Sequence, residues 1–262
     1  MANRRAVVTG ASSGIGAATV RALREAGWDV VGVARRADRL KELAAETGAD
    51  TFAADLTSQT DVDALAAHLA HTGPVHALAH VAGGAKGTDR VEDGAAADWL
   101  WMYEVNALSA QRLVQALLPQ LRGTAAAEST HADLLFVTST AAQVAYPGGG
   151  GYNAAKAAES MLVHALRQEL NGEPLRVVEI APGMVHTEEF TLNRTGDPAA
   201  VEALYADVDG PLVAEDVADV IAYALNAPGH VNLDLVTMRP VAQAAQHLLH
   251  RGPLAPREEP GA

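Results

Sequence analysis

Three side chains in the 262-residue chain have types and spacings suited to proton transfer at an oxygen atom: Ser139, Tyr152 and Lys156. A phenol is a poor acid–base group at its ordinary pKa of about 10. An ammonium beside it stabilises the phenolate and lowers that value. Tyr152 and Lys156 are four apart in a stretch with helical patterning, which puts them on one face. Ser139 follows the apolar run Leu134-Leu135-Phe136-Val137, which reads as a strand. At a strand's C-terminal end, its hydroxyl can donate to a substrate oxygen while the phenol exchanges a proton. The set fits proton exchange at a carbonyl or alcohol oxygen, coupled to hydride transfer at the adjoining carbon. A Tyr-x-x-x-Lys by itself is a weak signal and gains weight from a second motif.

That motif is Thr9-Gly10-Ala11-Ser12-Ser13-Gly14-Ile15-Gly16, between the strand-like Ala6-Val7-Val8 and a helical run from Ile15 to Ala26. Glycines allow a tight turn and let the backbone approach a ligand. The helix N-terminus that follows presents unpaired N–H groups and a positive dipole end, which suits a phosphate. Gly10, Ser12, Ser13, Gly14 and Ile15 are therefore cofactor-binding candidates. The spacing is Gly-x-x-x-Gly-x-Gly, not the commoner Gly-x-Gly-x-x-Gly. The second strand-like run ends Val33-Ala34-Arg35-Arg36, with no carboxylate before Asp38. A ribose 2′-hydroxyl calls for an acidic residue there, and a 2′-phosphate for arginine. Arg35 and Arg36 point to NADP(H) rather than NAD(H) as cofactor; the competing reading is a pair of solvated surface arginines.

Composition removes other classes. Lys plus Arg number 19 and Asp plus Glu 32, a formal charge of −13, which argues against a nucleic-acid footprint. Apolar residues make up 49%, too many for a disordered chain. Without cysteine there is no disulfide, thiolate nucleophile or Cys-ligated zinc. His68 with His71, and His247 with His250, are paired three apart but lack the further ligands of a zinc motif, so no metal is expected. The apolar run before Thr9 is too short for a leader or a membrane span. A cytoplasmic protein with no membrane partner is expected.

The elements that must position these residues alternate. Short apolar runs at Ala6–Val8, Val30–Val33, Thr51–Ala53, Ala77–Ala79, Leu134–Val137, Val177–Ile180 and Leu233–Val236 are separated by Ala- and Leu-rich helical stretches. Repeated βα units imply an α/β fold: a doubly wound parallel sheet of about seven strands with helices on both faces. A single domain over residues 1–250 is expected. Gly123 to His131 reads as a surface insertion, and Arg251 to Ala262, rich in Pro and Gly, as a disordered tail. Residues 188–210 break the rhythm and read as a polar loop acting as a substrate lid.

These motifs together resemble the short-chain dehydrogenase/reductase family over about Arg5 to Met238. The resemblance implies a Rossmann-type fold and an NADP-dependent oxidoreductase. Thr9 to Gly16 matches the family's glycine motif, and Asp55-Leu56 its adenine-side position. His80-Val81-Ala82-Gly83 stands where the family has Asn-Asn-Ala-Gly, so both asparagines are missing, while Ala82 and Gly83 match. By resemblance Tyr152 is the general acid in reduction and the base in oxidation. Lys156 lowers its pKa and binds nicotinamide ribose hydroxyls, and Ser139 orients the substrate oxygen. Asn106 matches the family's helix asparagine, which helps hold a water relay near Lys156; a helix-capping or kinking asparagine is the competing reading. Pro182-Gly183-Met184-Val185-His186-Thr187 matches a further segment, in which Val185 and Thr187 hold the nicotinamide carboxamide.

The C-terminal part resembles the branch acting on 3-hydroxy acids and serine-like substrates, and is similar to aldehyde reductases of the same branch. Arg194 is either a clamp for a substrate carboxylate or an exposed loop arginine. Gln143, Tyr146, Met184 and His186 are expected to edge the pocket. A homodimer or homotetramer is implied, since the corresponding helices pair between subunits in the family. A small-molecule alcohol or carbonyl compound is the expected substrate. The alternative is a non-catalytic NADP-binding regulatory module on the same fold.

Overall fold

Each apolar run becomes a strand and each Ala/Leu-rich run a helix. The computed structural model describes residues 4–187 and 189–256. The first half runs β1 (Arg5–Thr9), α1 (Gly14–Glu25), β2 (Asp29–Ala34), α2 (Ala37–Thr47), β3 (Asp50–Ala53), α3 (Gln59–Thr72) and β4 (Ala77–His80). Then come α4 (Ala96–Tyr103), a π-helical turn (Glu104–Leu108), α5 (Ser109–Glu128), β5 (Ala132–Val137), α6 (Gly150–Glu169) and β6 (Leu175–Pro182). The last part holds β7 (Val185–His186), α7 (Phe190–Thr195), α8 (Pro198–Tyr205), β8 (Leu212–Val213) and α9 (Ala214–Asn226). It ends with β9 (Leu235–Met238), β10 (Gln243–Ala245) and β11 (Leu248–Leu249).

The main sheet has seven strands in the order β3-β2-β1-β4-β5-β6-β9, all parallel. Strands covered on both faces read as continuous apolar runs, and β1 and β5 are buried throughout. Val8, Val20, Leu23, Val217 and Ile221 pack on one face. Val7, Leu65, Leu113, Leu117 and Val163 pack on the other. The order reverses between β1 and β4, and the crevice beyond their C-terminal ends is where open α/β sheets bind ligands. The main-sheet fold is the one expected.

Three boundaries differ. The expected insertion at Gly123–His131 is mostly helix, because α5 runs on through Ala125-Ala126-Ala127 to Glu128. Residues 190–205 are two helices rather than a polar loop. Gly196 closes α7 in the left-handed region at φ 67°, and Asp197 caps α8 by accepting from the Ala199 N–H at 2.9 Å, with Pro198 in the first turn. The expected disordered tail is tied down at its start. Gly252 bridges to Val208 and its N–H donates to Asp207 O at 2.7 Å, while the Leu254 N–H donates to Asp209 Oδ2 at 3.0 Å. Glu188, the first residue of the expected lid, lies outside the described residues, as do residues 1–3 of the expected domain and 257–262 of the tail.

Candidate active site

Strand β5 delivers Ser139, and the first two turns of α6 deliver Tyr152 and Lys156. Glycine lets α6 start close to α4: a Cβ on Gly151 would lie 2.4 Å from Met102 Cε. The Ser139 hydroxyl accepts from the Ala141 N–H at 3.0 Å and faces Pro182 O at 3.4 Å. Tyr152 is 8% exposed, Lys156 3% and Ser139 9%. All three line one cavity of about 450 Å³ beyond the C-terminal ends of β4, β5 and β6.

Burial raises the Tyr152 phenol above its ordinary pKa, and the opposing pull of Lys156 and Ser139 does not cancel it. The expected lowering is thus corrected: desolvation of the phenolate wins. Burial alone would lower Lys156, but the Glu159 carboxylate beside it brings the net shift upward. Burial raises Glu159 to about 7 against the pull of Lys156. Burial, then the Lys156 charge, lowers His80 to about 3, so its imidazole is neutral.

The hydrogen bonds fix the tautomer of that imidazole. Thr9 Oγ1 accepts from the Val81 and Ala82 N–H groups, both at 3.0 Å, so its own proton points to His80 Nδ1 at 3.1 Å. The other ring nitrogen then carries the hydrogen and donates toward Ser109 Oγ at 3.4 Å. Ser109 is free to accept because its hydroxyl donates to Val105 O at 2.8 Å.

Asn106 sits in the π-helical turn. Its amide donates to Gly84 O at 2.8 Å and Met102 O at 2.7 Å, and its Oδ1 accepts from the Gly84 N–H at 3.1 Å. These three bonds fix the side chain in the cavity wall. Gly83 fits there only as glycine, since a Cβ would lie 2.6 Å from Asn106 Oδ1 and 3.1 Å from Lys156 Nζ.

The glycine turn closes tightly: a Cβ on Gly16 would lie 2.2 Å from Gly10 O, and Gly10 and Gly14 have φ of 69° and 50°. A Cβ on Gly10 would meet the Ala82 backbone at 3.1 Å. Ser13 at the N-terminus of α1 makes no side-chain capping bond, which leaves first-turn N–H groups of the helix for an anion. Arg36 joins this corner, donating to Ser12 Oγ at 2.9 Å and, from the same nitrogen, to Ser13 Oγ at 3.0 Å. Arg35 is exposed at the end of β2. Burial would raise Asp55, but the Thr57 backbone and hydroxyl and the Arg35 charge hold it below its ordinary range. Leu56 packs into the core. Ile15, Pro182, Gly183, Val185 and Thr187 line the cavity. The Thr187 hydroxyl oxygen is buried without a hydrogen-bond partner among the described residues. An unspent hydroxyl in the cavity and an uncapped helix end on the glycine turn are of the kind that would fit a nicotinamide dinucleotide.

Of the expected substrate contacts, Tyr146, Met184 and Arg194 line the cavity. Arg194 donates to Tyr146 Oη at 3.0 Å and Gly148 O at 2.8 Å, and its guanidinium carbon lies 5.9 Å from the Tyr152 ring centroid. Gln143 and His186 are corrected: both are exposed and neither lines the cavity. Gln143 donates to Thr237 Oγ1 at 3.1 Å, and His186 lies against the Tyr205 ring at 4.2 Å. The sequence reading missed Phe190, whose ring meets Tyr152 edge-on at 5.5 Å, and Tyr205, which donates to Val185 O at 2.8 Å. Both are lone aromatics in the segment read as a loop. It also missed Glu159, which is fully buried, accepts from Lys156 Nζ at 2.7 Å and lies 3.8 Å from His80 Nε2. Among the described residues, no group of three or more Asp, Glu or His side chains is placed to hold a metal ion.

A short chain dehydrogenase family model matches residues 4–197. An oxidoreductase of Mycobacterium tuberculosis (strain ATCC 25618 / H37Rv) is 47% identical over 242 residues, 92% of this chain and 93% of that protein. Sulfoacetaldehyde reductase 2 of Chromohalobacter salexigens is 38% identical, covering 91% of this chain and 94% of its own. The solved closed form of serine dehydrogenase complexed with NADP+ matches with a TM-score of 0.87 at 31% identity, covering 94% of this chain and 99% of that one.

Proposed function

The chain belongs to the short-chain dehydrogenase family, and on that premise we propose that it is an NADP(H)-dependent oxidoreductase acting on a small carbonyl or alcohol that carries an acidic group. The observation that carries this reading is the buried meeting of Ser139, Tyr152 and Lys156 in one cavity, with Arg194 beside the phenol. When bound, NADP(H) supplies or accepts the hydride. Tyr152 delivers its proton to the carbonyl oxygen in reduction and removes it from the hydroxyl in oxidation. Ser139 donates a hydrogen bond to the same oxygen. Lys156 favours the phenolate that proton loss leaves.

Arg194 comes from α7, and its planar guanidinium suits a carboxylate or sulfonate. A 3-hydroxy acid, or an aldehyde bearing an acid group, would place that anion a short reach from the reacting carbon. The names of the two relatives with stated activities, a sulfoacetaldehyde reductase and a serine dehydrogenase, support this class. Arg36 with Ser12 and Ser13 supports NADP(H) over NAD(H). Exposed Leu100 and Tyr103 on α4 and Met161 on α6 support a homodimer or homotetramer, and the cytoplasm is the proposed location. No described helix is long and apolar enough to cross a membrane.

The test is absorbance of NADPH with a panel of acidic aldehydes, 3-hydroxy acids and neutral analogues. Turnover is expected with an acidic member, and Tyr152→Phe should lower it by at least about 10²-fold while NADPH still binds. NADPH binding without turnover of any panel member would favour the regulatory-module reading instead.

A further inference from the structure

Lys156 is held from behind. Its Nζ donates to Glu159 Oε2 at 2.7 Å and to Val137 O at 3.0 Å. Glu159 is fully buried, one turn along α6 from the ammonium it meets. Its second oxygen, Oε1, is buried with no hydrogen-bond partner among the described residues and lies 3.8 Å from His80 Nε2. A buried carboxylate keeps its charge only when paired and hydrogen-bonded, and here one oxygen is served and the other is not.

We propose that Glu159 is a positioning residue for Lys156, a buried carboxylate whose protonation decides how much of the ammonium's charge reaches Tyr152. The proposal rests on the catalytic reading given above. Ionised, Glu159 neutralises Lys156 and holds it toward β5. Protonated, it leaves the positive charge uncompensated beside the phenol, which favours proton release from Tyr152. Among the described residues, nothing else facing it supplies a counter-cation. On β4, His80 is neutral, with its Nε2 hydrogen on this side. On β6, Glu179 adds a second negative charge and is itself occupied by Thr138 Oγ1 at 2.7 Å and His164 Nε2 at 3.1 Å. On α6 itself, Lys156 and Tyr152 are the remaining titratable neighbours. The upward shift of Glu159 to about 7 puts the change of setting near neutral pH.

The test compares wild type, Glu159→Gln, Glu159→Asp and His164→Gln in two assays. In the first, kcat/KM is followed against pH. Wild type is expected to bend near pH 7, whereas Glu159→Gln, a neutral isostere, keeps the low-pH level throughout. Glu159→Asp should retain a bend but at a shifted pH, and His164→Gln, which removes the half-exposed imidazole on Glu179, should leave the wild-type bend in place. In the second, melting temperature is read without substrate. A carboxyl raised from 4.5 to about 7 by folding holds its proton in the folded state longer than in the unfolded one. Wild type should therefore lose stability relative to Glu159→Gln as pH rises from 5 to 8, by roughly 5–10 °C. A bend that survives in Glu159→Gln overturns the proposal, as does a melting difference that does not change with pH. Should Glu159→Gln fail to fold, an Asp variant with an unshifted bend overturns it too. If wild type turns over nothing in the panel, the catalytic reading fails, while the melting assay still reads the carboxyl.

Discussion

The guanidinium of Arg36 meets the carboxylate of Glu189 through two hydrogen bonds, Nη1 to Oε1 at 2.6 Å and Nη2 to Oε2 at 2.9 Å. Ser13 Oγ donates to the same carboxylate at 3.0 Å. A side chain from the segment leading into α7 therefore sits on the arginine and serine proposed to receive the cofactor's 2′-phosphate. Two anions cannot share that corner without repulsion. Glu189→Gln should tighten NADPH about 2- to 5-fold, the size of a partly exposed ion pair, and change NADH little. Fluorescence titration with both cofactors checks it, and an equal change for both would refute the competition.

Arg36 and Arg35 are adjacent in sequence but not equivalent in place. Arg36 turns in to Ser12 and Ser13, whereas Arg35 is exposed. A hydrogen bond to a charged group contributes about 1.5–3 kcal/mol, so Arg36→Ala should weaken NADPH by roughly 10- to 100-fold. Arg35→Ala should have a smaller effect. NADH affinity should move little in either variant, and a larger loss in Arg35→Ala would reverse the assignment.

Arg194 has three protein acceptors, Gly87 O, Gly148 O and Tyr146 Oη, so its guanidinium is already aimed. Arg194→Met should raise KM for acidic substrates by about 10- to 100-fold, the loss of a charge-assisted pair. Neutral aldehydes of similar size should be affected far less. Parallel losses for both classes would assign Arg194 to holding α7 in place rather than to recognition.

His80 is buried and neutral, with its pKa lowered from 6.5 to about 3. The unfolded chain binds a proton there between those values and the folded chain does not. Stability from this residue is therefore complete above pH 6.5 and lost as pH falls toward 3, a swing on the order of 5 kcal/mol. His80→Asn should flatten that part of the acid-unfolding curve. Urea midpoints from pH 4 to 7 measure it, and parallel curves for the two proteins would contradict a neutral buried imidazole.

What could be read in the sequence was local. Tyr152 and Lys156 were legible because four-residue spacing on a helix is one turn, and the glycine turn because its context is strand, turn, helix. The two helices at 190–205 were hidden by their own punctuation: Gly196-Asp197-Pro198 reads as a loop, yet each residue ends or starts a helix. The pairing of Glu159 with His80 was not legible, since β4 and α6 are distant in sequence and only sheet order brings them together. Gln143 and His186 were misplaced because neighbourhood in sequence to Ser139 and Thr187 does not say which way a loop side chain turns.

The π-helical turn at Glu104–Leu108 has a consequence for the 20 residues of α5 that follow it. Such a turn holds one residue more than an ordinary one, and each residue of a helix advances by about 100°. Removing a single residue there would restore an ordinary turn and leave α5 nearly in phase, with Leu113, Leu117 and Leu121 still on the sheet. What would be lost is the widened loop that seats Asn106 against Gly84. The extra residue thus shapes the cavity wall without re-aiming the rod, so a one-residue deletion within residues 104–108 should harm the site more than it harms folding.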